Sequence, residues 1–419
     1  MKAYLLCAAA ALMLAPGLAQ ADLKGDLRPK PRPAGLEEAA LRVAMSDAGF
    51  SDWLAGFRSR AIEAGIAKPT LDAAFADAGY DAGLVRLDRN QSEFTKQIWD
   101  YLDTAVSDTR VESGRRAIAA HGRTLRQIED KYGVDKEIVA AIWGLESAYG
   151  AVRGDVPLIG ALATLAYDGR RGAFFEEELL AALRIVQSGD VHPRDMTGSW
   201  AGAMGHTQFM PSSYLAHAVD FTGDGRRDIW SDDPSDALAS TAAYLAHFGW
   251  TKGQPWGVEV QLPVSFDPVR ARRTLMQSPT AWAAEGIRDM RGRDVPDHGR
   301  ASILLPGGAD GPAFMIFDNF EVLERYNKAD AYVIGVGHLS DRLKGGPAIA
   351  APWPRQHRAI SAAERLDLQR KLQDRGFAVE KIDGIIGPNT IDAIRAFQKS
   401  AGMSADGFPT QELLKALDG

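Results

Sequence analysis

Residues 142–150 read Ile142-Trp143-Gly144-Leu145-Glu146-Ser147-Ala148-Tyr149-Gly150, a single carboxylate at the end of an otherwise apolar segment. Upstream, Asp135 is a residue type that caps helices, and Ile138, Val139, Ile142, Trp143 and Leu145 then make a broad apolar face at helical spacing. Gly150 is placed to end that helix in the left-handed conformation. Glu146 stands seven residues beyond Val139 and four beyond Ile142, so the helical period turns its side chain toward the apolar stripe. A carboxylate there loses water, and in the last turn the helix dipole also disfavours an anion. Both effects raise its pKa toward the range that a general acid uses near neutral pH. The same spacing is compatible with a glutamate that reaches to the helix rim or pairs with Arg153.

The chain has 419 residues, 46% hydrophobic and 25% charged, with a net charge of −7. That composition describes a folded protein of two or more domains and excludes disordered and fibrous classes. Residues 1–21, MKAYLLCAAAALMLAPGLAQA, carry one basic residue, an apolar run and a closing Ala19-Gln20-Ala21, and read as a secretory signal. The run is short and broken by Pro16-Gly17, which argues against an anchoring helix. Cys7, the one cysteine, lies inside it, so the processed chain has neither disulfides nor thiol chemistry. Losing Lys2 takes the net charge from −7 to −8, and no later run of 18 apolar residues follows, so neither nucleic acid nor a bilayer is an expected partner.

Residues 22–44 are proline-rich and charged, as a tether would be. From about Ala40 to Trp250 the spacing predicts helices, as in Trp53-Leu54-Phe57-Ala61, Leu125-Ile128 and Leu179-Leu180-Leu183-Val186. Val258–Val264 and Ala313–Phe317 predict strands of a small sheet, which makes the large domain, residues 45–343, mainly α with a minor β part (α+β). Gly345-Gly346-Pro347 and Pro352-Trp353-Pro354 mark residues 344–358 as a linker. Residues 359–419 form a separate unit with helical runs at Leu366-Leu368-Leu372, Ile391-Ile394-Phe397 and Leu413-Leu414-Leu417. Asp383-Gly384…Gly387-Pro388 and Asp406-Gly407…Pro409-Thr410 look like a short repeat, an Asp-Gly turn and then Pro where a helix begins.

Downstream of Glu146, Gly202-Ala203-Met204-Gly205-His206-Thr207-Gln208-Phe209-Met210-Pro211-Ser212-Ser213-Tyr214 joins small residues to an amide, aromatic rings and hydroxyls. Such a mixture suits sugars, whose apolar faces stack on rings while hydroxyls and acetamido groups form hydrogen bonds. Together with Gly144–Gly150 and Arg325-Tyr326-Asn327-Lys328-Ala329-Asp330-Ala331-Tyr332, this stretch resembles the membrane-bound lytic murein transglycosylase B family over roughly Gly49 to Leu343. The resemblance implies a lysozyme-like α-rich core with an added helical domain, with Glu146 as the single catalytic acid/base. Gln208, Phe209, Tyr244, Asn327 and Tyr332 fall on saccharide-groove positions, and Tyr101, Arg170 and Arg171 match more loosely. It also implies a reaction without a second carboxylate or a cofactor, although Asp155 and Asp168 remain candidates for one. Glu146 would protonate the oxygen between N-acetylmuramic acid and N-acetylglucosamine, and the muramyl 6-hydroxyl would attack the anomeric carbon to leave a 1,6-anhydro end. Family members named for the membrane carry a lipid-attachment cysteine at the cleavage point; its absence here implies a soluble periplasmic form.

Asp220-Phe221-Thr222-Gly223-Asp224-Gly225-Arg226 begins like an EF-hand, but Ser231 stands where the closing acid belongs, and Asp236 supplies the acid of a longer loop. The expected structural Ca²⁺ ligands are Asp220, Thr222, Asp224, the Arg226 carbonyl and Asp236; an ion-free Asp-Gly turn is the alternative. Histidine spacing and Gly198-Ser199-Trp200-Ala201-Gly202 fit neither a zinc protease nor a serine hydrolase. Leu368–Leu372, Gly376-Phe377, Asp383–Thr390, Ala396-Phe397-Gln398 and Asp406-Gly407 resemble the small three-helix peptidoglycan-binding domain over about Ile360 to Leu417. Peptidoglycan glycan strands are thus the expected partner. A non-catalytic wall-binding scaffold, a hydrolytic muramidase and a calcium-regulated sensor are the rival readings.

Overall fold

The computed structural model describes the backbone of residues 35–90 and 96–419 and the side chains of residues 49–89 and 96–419, so the expected signal segment lies outside the described residues. So does most of the expected tether, but a helix already begins at Gly35 and runs to Glu63. Its Phe57 and Ala61 are buried, as the spacing predicts.

The helix Lys136–Ser147 is central to the large domain and packs against Asp108–Ala120, Gly122–Tyr132, Ser235–His247 and Asp330–Leu343. Ile138, Val139, Ile142 and Trp143 are buried, but so are Ala140, Ala141, Gly144 and Ser147. It is therefore enclosed on nearly all sides rather than along one stripe. Close crossings demand small residues: a Cβ on Gly144 would stand 2.5 Å from the Tyr149 ring. Asp135 occupies the N-cap position without bonding the first turn. Its carboxylate instead accepts from Trp250 Nε1 at 2.9 Å and from the Gly253 amide at 3.2 Å, tying the helix start to a distant loop. Beside this bundle, Leu158–Asp168 and Gly172–Ser188 pack as a pair over Leu162, Leu165, Leu179 and Leu183.

Two short strands, β1 (Val156–Pro157) and β2 (Thr197–Gly198), pair antiparallel. The main sheet has β3 (Gly257–Gln261), β4 (Arg288–Asp289), β5 (Ser302–Leu304) and β6 (Ala313–Ile316) in the order β4-β3-β6-β5. Its two central strands are those marked by the sequence, with Val258 opposite Met315 and Val260 opposite Ala313. The edge strands are too short to carry a readable alternation. Trp282, Ile303, Met315 and Phe317 form a core beneath this sheet.

The C-terminal unit packs Ala362–Asp374, Pro388–Ser400 and Gln411–Ala416 around Leu368, Leu372, Ile394, Phe397 and Leu413. Its repeated phrases are real local structures, each closed by a buried glutamine. Gln369 Oε1 accepts from the Asp383 and Gly384 amides at 3.0 and 2.7 Å, and Gln398 Oε1 accepts from the Gly407 amide at 2.8 Å. Their amide groups donate back to Asp383 at 3.2 Å and Asp406 at 2.8 Å. Pro388 opens its helix as expected. In the second phrase Thr410, not Pro409, caps the helix, its hydroxyl accepting from the Leu413 amide at 3.1 Å.

The linker has no regular structure, yet it is bound to the large domain. Glu259 accepts from the Ala350 and Ala351 amides, Arg355 pairs with Asp103 at 2.8 Å, and Trp353 packs beside Trp99. Asp406 accepts from the Ala309 amide at 2.9 Å, and Arg395 donates to the Ala271 carbonyl at 2.7 Å. Gln369→Leu keeps the volume but leaves two turn amides unpaired. We expect it to lower the opening free energy of the Pro388–Ser400 amides in hydrogen exchange by about 1–3 kcal/mol; unchanged protection would mean that the turn does not rely on the clamp.

Candidate functional site

The helix that carries Glu146 does not end at Gly150 alone. Ala148, Tyr149 and Gly150 all have positive φ, at 50°, 62° and 86°. For residues with a Cβ this conformation costs roughly 1–3 kcal/mol each, so surrounding bonds must impose it. They are present. The Ala148 and Tyr149 amides bond the Gly144 and Trp143 carbonyls at 3.2 Å. Ser147 Oγ accepts from the Gly150 amide at 2.9 Å and donates to the His206 carbonyl at 2.5 Å. Tyr149 donates its phenolic proton to the Arg110 carbonyl at 3.1 Å, and the Arg110 guanidinium returns a bond to the Gly144 carbonyl.

This turn fixes Glu146 against a wall of rings. Tyr332, from Asp330–Leu343, donates to Glu146 Oε1 at 2.6 Å. Burial lifts the Glu146 pKa to about 7, and the Tyr332 bond pulls against it. Among the described residues no second charged group shapes that acidity. Arg153, the partner considered from sequence, is bound instead to Asp232 at 2.8 Å and to the Ser231 carbonyl at 2.7 Å. Asp168 is paired with Arg89 at 2.6 Å, and Asp155 is exposed.

The structure brings most of the sequence-predicted groove residues into one cluster. Tyr332 lies parallel to Tyr326 at 6.4 Å, and Tyr326 meets Phe209 at 5.8 Å and Tyr244 at 5.2 Å. Tyr101 is close enough that the charge of Glu146, after burial, pushes its phenol up; Tyr326 and Tyr332 are pushed up for the same two reasons. All three stay neutral where Glu146 titrates. Gln208 has φ 54°, and its amide group donates to the Arg153 and Gly205 carbonyls at 3.0 and 2.9 Å. Its donors are spent inside the protein, so the group it leaves to present is its acceptor oxygen. Asn327 is buried, and its side-chain oxygen accepts from the Ala329 amide at 3.0 Å, shaping the turn into the Tyr332 helix.

The described contacts of Arg170 and Arg171 run elsewhere, to the buried Asp88 at 2.5 and 2.6 Å. Sequence reasoning missed Tyr326, Arg110, Tyr149 and His206. Tyr326, Tyr149 and His206 stand inside phrases already quoted and Arg110 outside them, but all four act through fold contacts that no local pattern announces.

Asp220, Asp224 and Asp236 offer carboxylate oxygens within 4.8 Å of one another, and Thr222 Oγ1 lies 3.4 Å from Asp220. Asp236 is buried, with its oxygens accepting from the Phe221, Thr222 and Asp228 amides, and burial pushes its pKa up. This all-oxygen donor set is the chemistry of a hard divalent cation.

Residues 49–341 match the family model of the transglycosylase SLT domain, and residues 361–417 match that of a peptidoglycan binding domain. The chain is 36% identical over 216 residues to the membrane-bound lytic murein transglycosylase B of Escherichia coli K12, a match spanning 51% of this chain and 58% of that relative. It is similar to the structure of SltB3 from Pseudomonas aeruginosa in complex with NAG-anhNAM-pentapeptide, with 46% identity and a TM-score of 0.86 over 88% of this chain and 99% of that one. It also resembles the Escherichia coli lytic transglycosylase Slt35 in complex with calcium, with 30% identity and a TM-score of 0.60 over 70% and 92%.

Tyr332→Phe removes the one hydrogen bond among the described residues that favours the Glu146 carboxylate. The carboxyl pKa should then rise by roughly one to two units, since a hydrogen bond to a charged group contributes about 1.5–3 kcal/mol. Carbon-13 NMR titration reads it; an unchanged or lower value would contradict this balance.

Proposed function

The chain belongs to the transglycosylase SLT domain family, and from that premise we propose that it is a lytic transglycosylase acting on peptidoglycan. The observation that carries this reading is a carboxyl near neutral pKa, enclosed by rings and hydrogen-bonded by Tyr332, with no charged partner among the described residues. A group of that acidity holds its proton in the resting state and can also take one back, as acid/base catalysis in two steps requires. Glu146 gives its proton to the glycosidic oxygen between N-acetylmuramic acid and N-acetylglucosamine. As carboxylate it then removes the proton of the muramyl 6-hydroxyl, which closes on the anomeric carbon. The 6-hydroxyl takes the place of water, so no second carboxylate is needed to activate one. Phe209, Tyr244, Tyr326 and Tyr332 line the site and keep water from competing.

In this reading Tyr101, Gln208 and Asn327 complete the groove, with Gln208 accepting through its carbonyl. Arg170 and Arg171, which match the groove positions more loosely, are held by Asp88. The C-terminal domain holds the enzyme on the wall polymer and raises the local concentration of strands. The chain works in the periplasm, reached through the segment 1–21; among the described residues no helix is long and apolar enough to cross a membrane.

Purified sacculi digested by the protein should yield muropeptides lighter by one water than reducing-end products, read by mass spectrometry. Glu146→Gln should lower turnover by about 10²–10⁴-fold while sugar binding persists. Reducing ends alone would make the protein a muramidase, and binding without digestion would make it a scaffold.

We also propose a structural Ca²⁺ held by Asp220, Thr222, Asp224, the Arg226 carbonyl and Asp236; the clustered carboxylates and the calcium complex of the Slt35 relative support it. Bound cation would neutralise three close acids and pin the loop. Calcium at a hundredfold excess over Kd should stabilise the protein by about 3 kcal/mol in thermal unfolding. The shift should vanish in Asp224→Ala, and its absence in the parent protein would leave an ion-free turn.

A further inference from the structure

The described polar contacts of the His206 ring are with Trp143, Arg153 and Ser231, and through them the residue joins the segments that set Glu146 in place. Its ring is buried between the Glu146 helix and the loop that follows Asp228. Trp143 Nε1 donates to Nδ1 at 3.1 Å, while Nε2 lies 2.7 Å from the Ser231 carbonyl. An indole N–H can only donate and a carbonyl can only accept. One protonation state satisfies both, neutral imidazole with its proton on Nε2; Arg153 Nη1 also lies 3.2 Å from Nε2, and it donates to the Ser231 carbonyl at 2.7 Å instead. The main chain of the same residue is engaged as well, its amide donating to the Ile229 carbonyl at 3.1 Å and its carbonyl accepting from Ser147 at 2.5 Å. Gly150 lies so close that a Cβ there would be 2.6 Å from the imidazole Cε1.

Trp143 and Ser147 flank Glu146, three residues before and one after, and Gly150 belongs to the left-handed turn. We propose that neutral His206 is a positioning residue for Glu146, and that its protonation releases the turn and switches the enzyme off in acid. An imidazolium would turn an Nδ1–H onto the Trp143 N–H, two donors face to face, and break the bond that ties ring to helix. A cavity of about 360 Å³, lined by Arg116, His121, Trp143, Arg153, His206 and Asp232, opens at this cluster and gives protons access. The groups facing the ring pull in both directions. Burial, first, and then the electrostatic influence of Arg153 and His121 hold the His206 pKa below its ordinary value, whereas the Ser231 carbonyl and Asp232 favour the charged form.

The inference rests on Glu146 being the acid, and it adds a second limb to the pH dependence. Glu146 must start protonated, so kcat falls as pH rises through about 7. His206 must be neutral, so kcat also falls on the acid side, as pH drops through its lowered pKa. The test is kcat and KM against pH for release of anhydro ends by the full chain, for the parent protein, His206→Gln and His206→Phe. Glutamine can accept from Trp143 and donate to Ser231 without titrating. It should restore most of the kcat that phenylalanine loses and abolish the acid limb while keeping the alkaline one. Phenylalanine, with neither bond, should lower kcat by about 10²-fold at the optimum with KM little changed. If His206→Phe does not fold, the His206→Gln profile alone decides. An acid limb that persists in His206→Gln, or a parent profile with none, would overturn the proposal. Either result leaves the assignment of Glu146 intact, since that fails only if the parent protein makes no anhydro ends or Glu146→Gln stays active.

Discussion

Tyr332 gives a hydrogen bond to Glu146 inside a wall of rings, and that bond opposes the burial around it. Burial alone would hold the carboxyl protonated, ready to give a proton but poor at taking one back. The hydrogen bond alone would leave it ionised, with no proton to give. The two together bring the pKa to about 7, where one group can serve both halves of an acid/base cycle. This balance stands on neutrality nearby. Tyr101, Tyr326 and Tyr332 keep their protons because burial and the Glu146 charge push their phenols up, and the cations Arg110 and Arg153 are engaged by carbonyls and by Asp232.

Much of the fold serves to hold that one side chain still. Its helix is enclosed by four others, which restrains where the last turn can lie. Beyond it, three left-handed residues reverse the chain, two of them at a conformational cost repaid by bonds from Arg110, Ser147 and His206. Strain of this kind persists only where the surroundings over-determine it. Partners from residues 110, 206 and 231 are far apart in sequence, so assembly of the site and assembly of the domain are one event.

The C-terminal unit shows the same economy on a smaller scale. Two buried glutamines each close an Asp-Gly turn, and the second turn also offers Asp406 to the large domain. The linker is bound along its length by Glu259, Trp99 and Asp103. A tethered binding module raises local substrate concentration most when the geometry lets both sites engage one polymer, and ordered contacts restrict that geometry more than a free linker would.

By itself the sequence determined the classes and places of the elements with strong periods: the buried helix, the two central strands and the three C-terminal helices. Local spacing also turned Glu146 toward apolar surroundings, because a helix repeats every few residues and its face can be counted. Motif resemblance supplied Phe209, Tyr244 and Tyr332. Only the tertiary structure decided what Glu146 bonds to, that Gln208 spends its donors inward, that Asp135 reaches Trp250 rather than its own helix, and that Arg170 and Arg171 are held by Asp88. Each of those is a choice among partners distant along the chain. Periodicity fixes the direction in which a side chain points along its own element, whereas the partner it meets depends on how elements pack, and that information is spread over the whole core.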